Sequence, residues 1–180
     1  MNKNDIMKLI EYSQKRFIEV YSDADSFCFG SINMLGDDGF IINCISPHGN
    51  YDGYAAFLYD DIIKISSDTA YCEKMERIMH SKGADIAFDV MENVNDSAID
   101  SLIRYAANVH KPVAIDIIDT DRDNMDAMGF IREYNTDTLI LEEFDSYGAK
   151  NGYSLINRAD ICKLCCDDED SVLAESLLNS

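Results

Sequence analysis

Basic residues are scarce in this chain. Its 180 residues hold 15 Lys and Arg against 34 Asp and Glu, a formal charge of −19. Both halves share the deficit: residues 1–90 hold 15 acids and 8 bases, and residues 91–180 hold 19 acids and 7 bases. Neither half offers the basic footprint that a phosphate-binding surface needs, so no nucleic acid is expected as a partner. Long apolar runs are missing too. None approaches the ~20 residues that span a bilayer, and no membrane contact is expected. Only two prolines occur, and Leu, Ile, Val, Phe and Tyr are spread throughout. That spread argues against low-complexity disorder.

Other absences narrow the chemistry. The opening "MNKNDIMKLIEYSQKRF" has no continuous apolar block and no small-residue cleavage site. It reads as an amphipathic helix and not as a secretion signal. The six cysteines therefore suit a reducing cytoplasm, where thiols fill cores as small hydrophobes. "CKLCC" (162–166) gives one C-x-x-C spacing, but structural zinc commonly takes two such pairs, and His48, His80 and His110 are far apart. "MLGDDGF" lacks the lysine and spacing of a phosphate loop. His48 has no nucleophile near it in sequence beyond Ser46 and reads as a turn residue. No catalytic residue, cofactor or metal is expected. Asp119, Asp121 and Asp123 alternate as calcium ligands do, and they are the weak metal candidates. Asn124 and Phe130 stand where a calcium loop needs Gly and Glu, so a solvated turn is the preferred reading.

What the chain does contain is a repeat. "YDGYAAFLYDDIIKI" (51–65) and "KNGYSLINRADICKL" (150–164) match at a shift of 99 positions. Gly53 matches Gly152, Tyr54 matches Tyr153, and Asp61-Ile62 matches Asp160-Ile161. Gly30, Ile32, Asp38 and Gly49 match Gly129, Ile131, Asp137 and Gly148 at the same shift. Further back the shift falls to 93, where "LIEY" (9–12) matches "LIRY" (102–105). About six extra residues then belong to the second copy, most simply within 119–126.

Each copy reads as a helix, then five short strands. "NDSAIDSLIRYAANVH" puts Ile99, Leu102, Ile103 and Ala106 on one stripe, as a half-buried helix requires. "PVAIDII", "MGFIREY", "DTLILEEF", "GYSLIN" and "DICKLC" follow as strands. Asp52–Gly53 and Asn151–Gly152 are hairpin signals, because both residue types tolerate positive φ. Curling five short strands into a small barrel covers most of their apolar face. A closing helix is predicted over 68–80 and again over 168–178. The expected fold is mainly β with helices (α+β): two tandem five-stranded barrels of Sm-like or SH3-like type, each preceded by a helix, in domains 1–90 and 91–180. The strands of the two barrels should fall near 26–66 and 127–165.

A helix followed by five bent strands resembles the Sm-like family. "GFIREYNTDTLIL" (129–141) is similar to that family's first motif, with Gly129, Ile131, Tyr134, Asn135, Leu139 and Leu141; "GSINMLGDDGFII" (30–42) is the first copy's version. "INRADICKL" and "LYDDIIKI" stand where the second motif would fall. The resemblance implies a tandem Sm-like barrel protein of bacterial type. In RNA-binding members, the loop after the second strand supplies an aromatic or polar residue and Asn to a base, and the second motif supplies a basic side chain. Copy one has Gly36 and Gly39 at the first place and Asp60 and Asp61 at the second, and copy two has Asn135, Thr138 and Arg158, with Ala159 in place of Gly. Stacking faces beside positive charge are thus largely missing. The expected function is a non-enzymatic, cytoplasmic protein-interaction module. The alternatives are an acidic neutraliser of a basic partner, a metal-dependent enzyme or regulator, and an RNA-binding Sm-like protein. The expected partner is a protein, a basic one under the first alternative. Tyr54, Tyr59, Tyr153 and Arg158, around the duplicated hairpins, are the interaction candidates. Packing of the 54–66 and 153–165 edges leads us to expect a monomer or dimer.

Overall fold

The computed structural model describes residues 1–13, 17–23, 26–83, 96–117 and 125–178. They form a mixed α+β structure in two compact units, Met1–Ala98 and Ile99–Ser180. Unit 1 runs α1 (Lys3–Ser13), β1 (Phe17–Tyr21), β2 (Cys28–Leu35), β3 (Gly39–Ile45), β4 (Tyr51–Leu58), a short 3-10 turn (Tyr59–Asp61), β5 (Lys64–Ser67) and α2 (Ala70–Ser81). The second half begins with α3 (Ala98–Val109). It continues through β6 (Val113–Ile117), β7 (Met125–Tyr134), β8 (Thr138–Phe144), β9 (Lys150–Asn157), a 3-10 turn (Arg158–Asp160), β10 (Ile161–Cys166) and α4 (Glu169–Leu178). The strand order is β5-β1-β2-β3-β4 in unit 1 and β10-β6-β7-β8-β9 in unit 2, with every ladder antiparallel.

The two copies share backbone bonds at several matching turns and ladders. Gly36 N–H donates to the Gly39 carbonyl at 2.8 Å, and Asn135 N–H to that of Thr138 at 2.9 Å. Ser46 N–H reaches the Asn50 carbonyl and Asp145 N–H that of Ala149, both at 2.9 Å. A bulge interrupts β2–β3 between Ile32 and Met34, and β7–β8 between Ile131 and Glu133. Such bulges bend a strand and increase its twist. Asp68 and Asp167 both take positive φ, at 57° and 61°, just before the closing helices. Each helix is then capped by a side chain. Thr69 Oγ1 accepts from Cys72 N–H at 3.1 Å, and Asp168 Oδ1 from Ser171 N–H at 3.0 Å.

The register also locates the extra residues. Ile18 faces Gly30 and Val113 faces Gly129, so the shift is 95 on the first strand and 99 on the second. Four extra residues lie between β6 and β7, and two lie ahead of β6. The sequence reading put all six in 119–126; of that stretch, 119–124 lie outside the described residues. The first strands, β1 from Phe17 and β6 from Val113, lie ahead of the barrel spans 26–66 and 127–165, and β6 is the strand read in "PVAIDII".

Packing differs between the copies. In unit 1, α2 sets Cys72, Met75 and Met79 against Phe29 and Ile45, with Phe17, Tyr71 and Ile78 at the margin. At the matching positions α4 has Ser171, Ala174 and Leu178. Every residue of β3 is buried, whereas β8 alternates, with Leu139 and Leu141 inside and Ile140 and Glu142 part-exposed.

Candidate functional site

The 3-10 turn after the fourth strand does the same structural work in both copies, with different chemistry. In unit 1 its first residue is Tyr59, 5% exposed. The Tyr59 hydroxyl donates to the Gly36 carbonyl at 3.0 Å and its ring stacks on Phe40 at 6.0 Å. Burial, with Asp38 and Asp37 nearby, pushes its pKa up to about 12. In unit 2 the matching residue is Arg158, whose guanidinium donates to the Asn135 carbonyl, the counterpart of Gly36. The turn N–H groups bond alike: Tyr59 N–H to Asp38 and Arg158 N–H to Asp137, both at 2.9 Å. A side chain from this turn thus pins the preceding hairpin loop in each copy.

Replacing tyrosine by arginine changes what surrounds it. Arg158 pairs with Asp100 on α3, and burial draws its pKa below the usual guanidinium value. Asp100, Arg104, Tyr134, Asn135, Thr136 and Arg158 line a cavity of about 320 Å³. The Asn135 side chain is occupied by its own turn. Its Oδ1 accepts from Asp137 N–H at 2.8 Å and Thr138 N–H at 2.9 Å, and its Nδ2 donates to Thr138 Oγ1 at 3.1 Å.

The second surface of interest is the outer face of β8 and β9. Antiparallel partners directly opposite share a face. Ile140 faces Leu155 and Glu142 faces Tyr153, so these four lie side by side. Tyr153 is 71% and Leu155 69% exposed, on a strand at the edge of its sheet. The matching pair in unit 1, Ile41 and Ala56, is fully buried. Glu142 accepts from Arg132 at two nitrogens, with Lys150 Nζ at 3.7 Å, and the Arg132 hydrogen bond holds its carboxyl below the usual range.

The four interaction candidates from the sequence are not gathered in one place. Tyr153 is on the open face and Arg158 lines the cavity. Tyr59 is buried, and Tyr54 is part-buried with its ring edge-to-face with Tyr51 at 5.7 Å. Asp119, Asp121 and Asp123 lie outside the described residues. Among the described residues, no three His, Cys, Asp or Glu side chains gather as a metal site would require. No described helix is long and apolar enough to cross a membrane. Sequence reading missed Asp100, Arg104 and Thr136 in the cavity and Ile140 and Leu155 on the face. The four-residue spacing of Asp100 and Arg104 was the available signal, since it puts both on one helix face. No family matches this chain, and neither do any curated protein or solved structure.

Proposed function

We propose that this chain is a non-enzymatic interaction module of two Sm-like units, each a strongly bent five-stranded barrel, and that it binds a protein partner through the β8–β9 face of unit 2. One observation carries the reading: Tyr153 and Leu155 are largely exposed on an edge strand, while their unit 1 counterparts include a fully buried Ala56 and a part-buried Tyr54. An open strand edge offers unpaired N–H and C=O groups to an incoming chain. A neighbouring aromatic and aliphatic pair supplies the apolar contact on which interface hot spots are built. The bends at matching bulges and the strand order support the Sm-like reading of each unit.

A photo-crosslinking residue at position 153 tests this in cells, with one at Tyr12, which is 86% exposed, as control. The expected result is one defined protein adduct at 153, lost on Leu155→Lys. Equal adduct patterns at 153 and 12, unchanged by Leu155→Lys, contradict it.

A further inference from the structure

The two closing helices differ most on their outer faces. At the shift of 99, Glu73, Lys74 and Ile78 of α2 match Val172, Leu173 and Leu177 of α4. Ile78 packs at the margin of the α2 cluster, whereas Leu177 is 45% exposed. Leu173 is 58% and Val172 37% exposed. Leu173 and Leu177 are four residues apart, so they form one ridge, with Val172 beside it. The inward positions Ser171 and Ala174 are small and buried. α4 thus carries three apolar side chains outward, where α2 has Glu73 and Lys74 in place of the first two. A helix that is apolar on both faces is one that another element covers.

Charge decides what can cover it. Residues 166–180 hold five acids and no Lys or Arg, so the stretch cannot neutralise itself. Lys111, which approaches from outside it, is held by Asp167 at 2.6 Å. Glu169 and Asp170 stand in the first turn of α4, one turn ahead of Leu173. A second copy of this helix would set these five acids against five more, and like charges suppress such a pairing. We propose that the outer face of α4 docks a cationic amphipathic helix from another protein, its apolar stripe lying on Val172, Leu173 and Leu177 and its Lys or Arg side chains meeting the acids of 167–175. Apolar anchors one turn apart are how one helix reads another. Complementary charge speeds the encounter and fixes its register. This surface uses none of the residues of the β8–β9 face.

The probe is a synthetic Leu/Lys helix of about 15 residues with one Trp, its leucines on a single helical stripe. The chain has no tryptophan, so tryptophan emission reports the peptide alone. Titrating the full chain into the peptide at about 0.15 M salt should give a saturable blue shift, and binding should weaken as salt rises. Leu173→Gln and Leu177→Gln should each weaken binding about tenfold, the size set by burying one leucine. Both positions are exposed, so these variants keep the fold. Leu155→Gln, on the β8–β9 face, should leave binding unchanged. No saturable shift overturns the proposal, as does equal binding of a peptide of the same composition with its leucines spread around the helix. A shift that neither α4 substitution alters, or one lost on Leu155→Gln, puts the peptide elsewhere and also overturns it. So does a dimer in light scattering that Leu173→Gln dissolves, since a second copy then covers the face.

Discussion

At the scale of single residues, one position decides how each hairpin loop is held. Tyr59 and Arg158 occupy matching places and donate to matching carbonyls. Tyr59→Phe keeps the ring on Phe40 and removes only the hydroxyl, leaving the Gly36 carbonyl without this donor. The expected cost is about 1 kcal/mol in urea unfolding. The same substitution should change the alkaline limb of stability. The folded tyrosine titrates at about 12, above the ordinary value of 10.0. The folded state therefore holds its proton where the unfolded chain has lost it. This contribution is present below about pH 10 and is lost as pH rises toward 12. Unfolding curves from pH 9 to 11.5 should fall less steeply for the Phe variant than for the parent; equal slopes contradict this account. The sequence could pair Tyr59 with Arg158 by the repeat, but not foresee that both point at a loop carbonyl. That depends on where a turn 23 residues upstream arrives in space.

At the scale of elements, the closing helices were readable and their packing was not. The spans predicted over 68–80 and 168–178 correspond to α2 and α4. A capping side chain ahead of each helix is a local signal, and α2 adds an amphipathic run to it. Each closing helix lies close against the glycine turn between the third and fourth strands. Gly49 and Gly148 take φ of 78° and 74°, and a Cβ on either would strike the closing helix. At Gly49 the nearest atom is Ile78 Cγ2 at 2.7 Å, a side-chain tip that can move. At Gly148 it is the backbone N of Leu178 at 2.5 Å, with Leu177 Cβ at 2.7 Å. Alanine at either site pays about 1–2 kcal/mol for the left-handed backbone. Gly148→Ala should cost more than Gly49→Ala, because backbone cannot yield as a methyl group can. Equal losses in urea unfolding contradict that ordering. The helices also differ in what they bury. Met75 is fully buried in the α2 cluster where α4 has Ala174. Met75→Ala should therefore cost about 2–5 kcal/mol. A loss under 1 kcal/mol means that the cluster collapses around the gap.

At the scale of the whole molecule, the sequence repeat gave the order of elements, since matched turns and strands must make matched bonds. It could not give the contrast between the copies. Ile41 and Ala56 match Ile140 and Leu155 and are similar in type, yet one pair is fully buried and the other is part-exposed to largely exposed. Burial of a sheet face depends on distant chain, which no local pattern encodes. Charge does belong to this scale. A net −19 and an Asn135 amide held in its own turn both oppose single-stranded RNA. Fluorescence anisotropy with U-rich and A-rich oligonucleotides at about 0.15 M salt should show no appreciable binding. Micromolar affinity that weakens with salt contradicts this expectation. The open β8–β9 face is the central claim, and hydroxyl-radical footprinting of Tyr153 and Leu155 tests it most directly, comparing the purified chain with the chain in its cell. Both residues should label strongly when purified and be clearly protected in the cell, with exposed Tyr12 labelled equally in both. Equal labelling of Tyr153 and Leu155 in the two settings contradicts it.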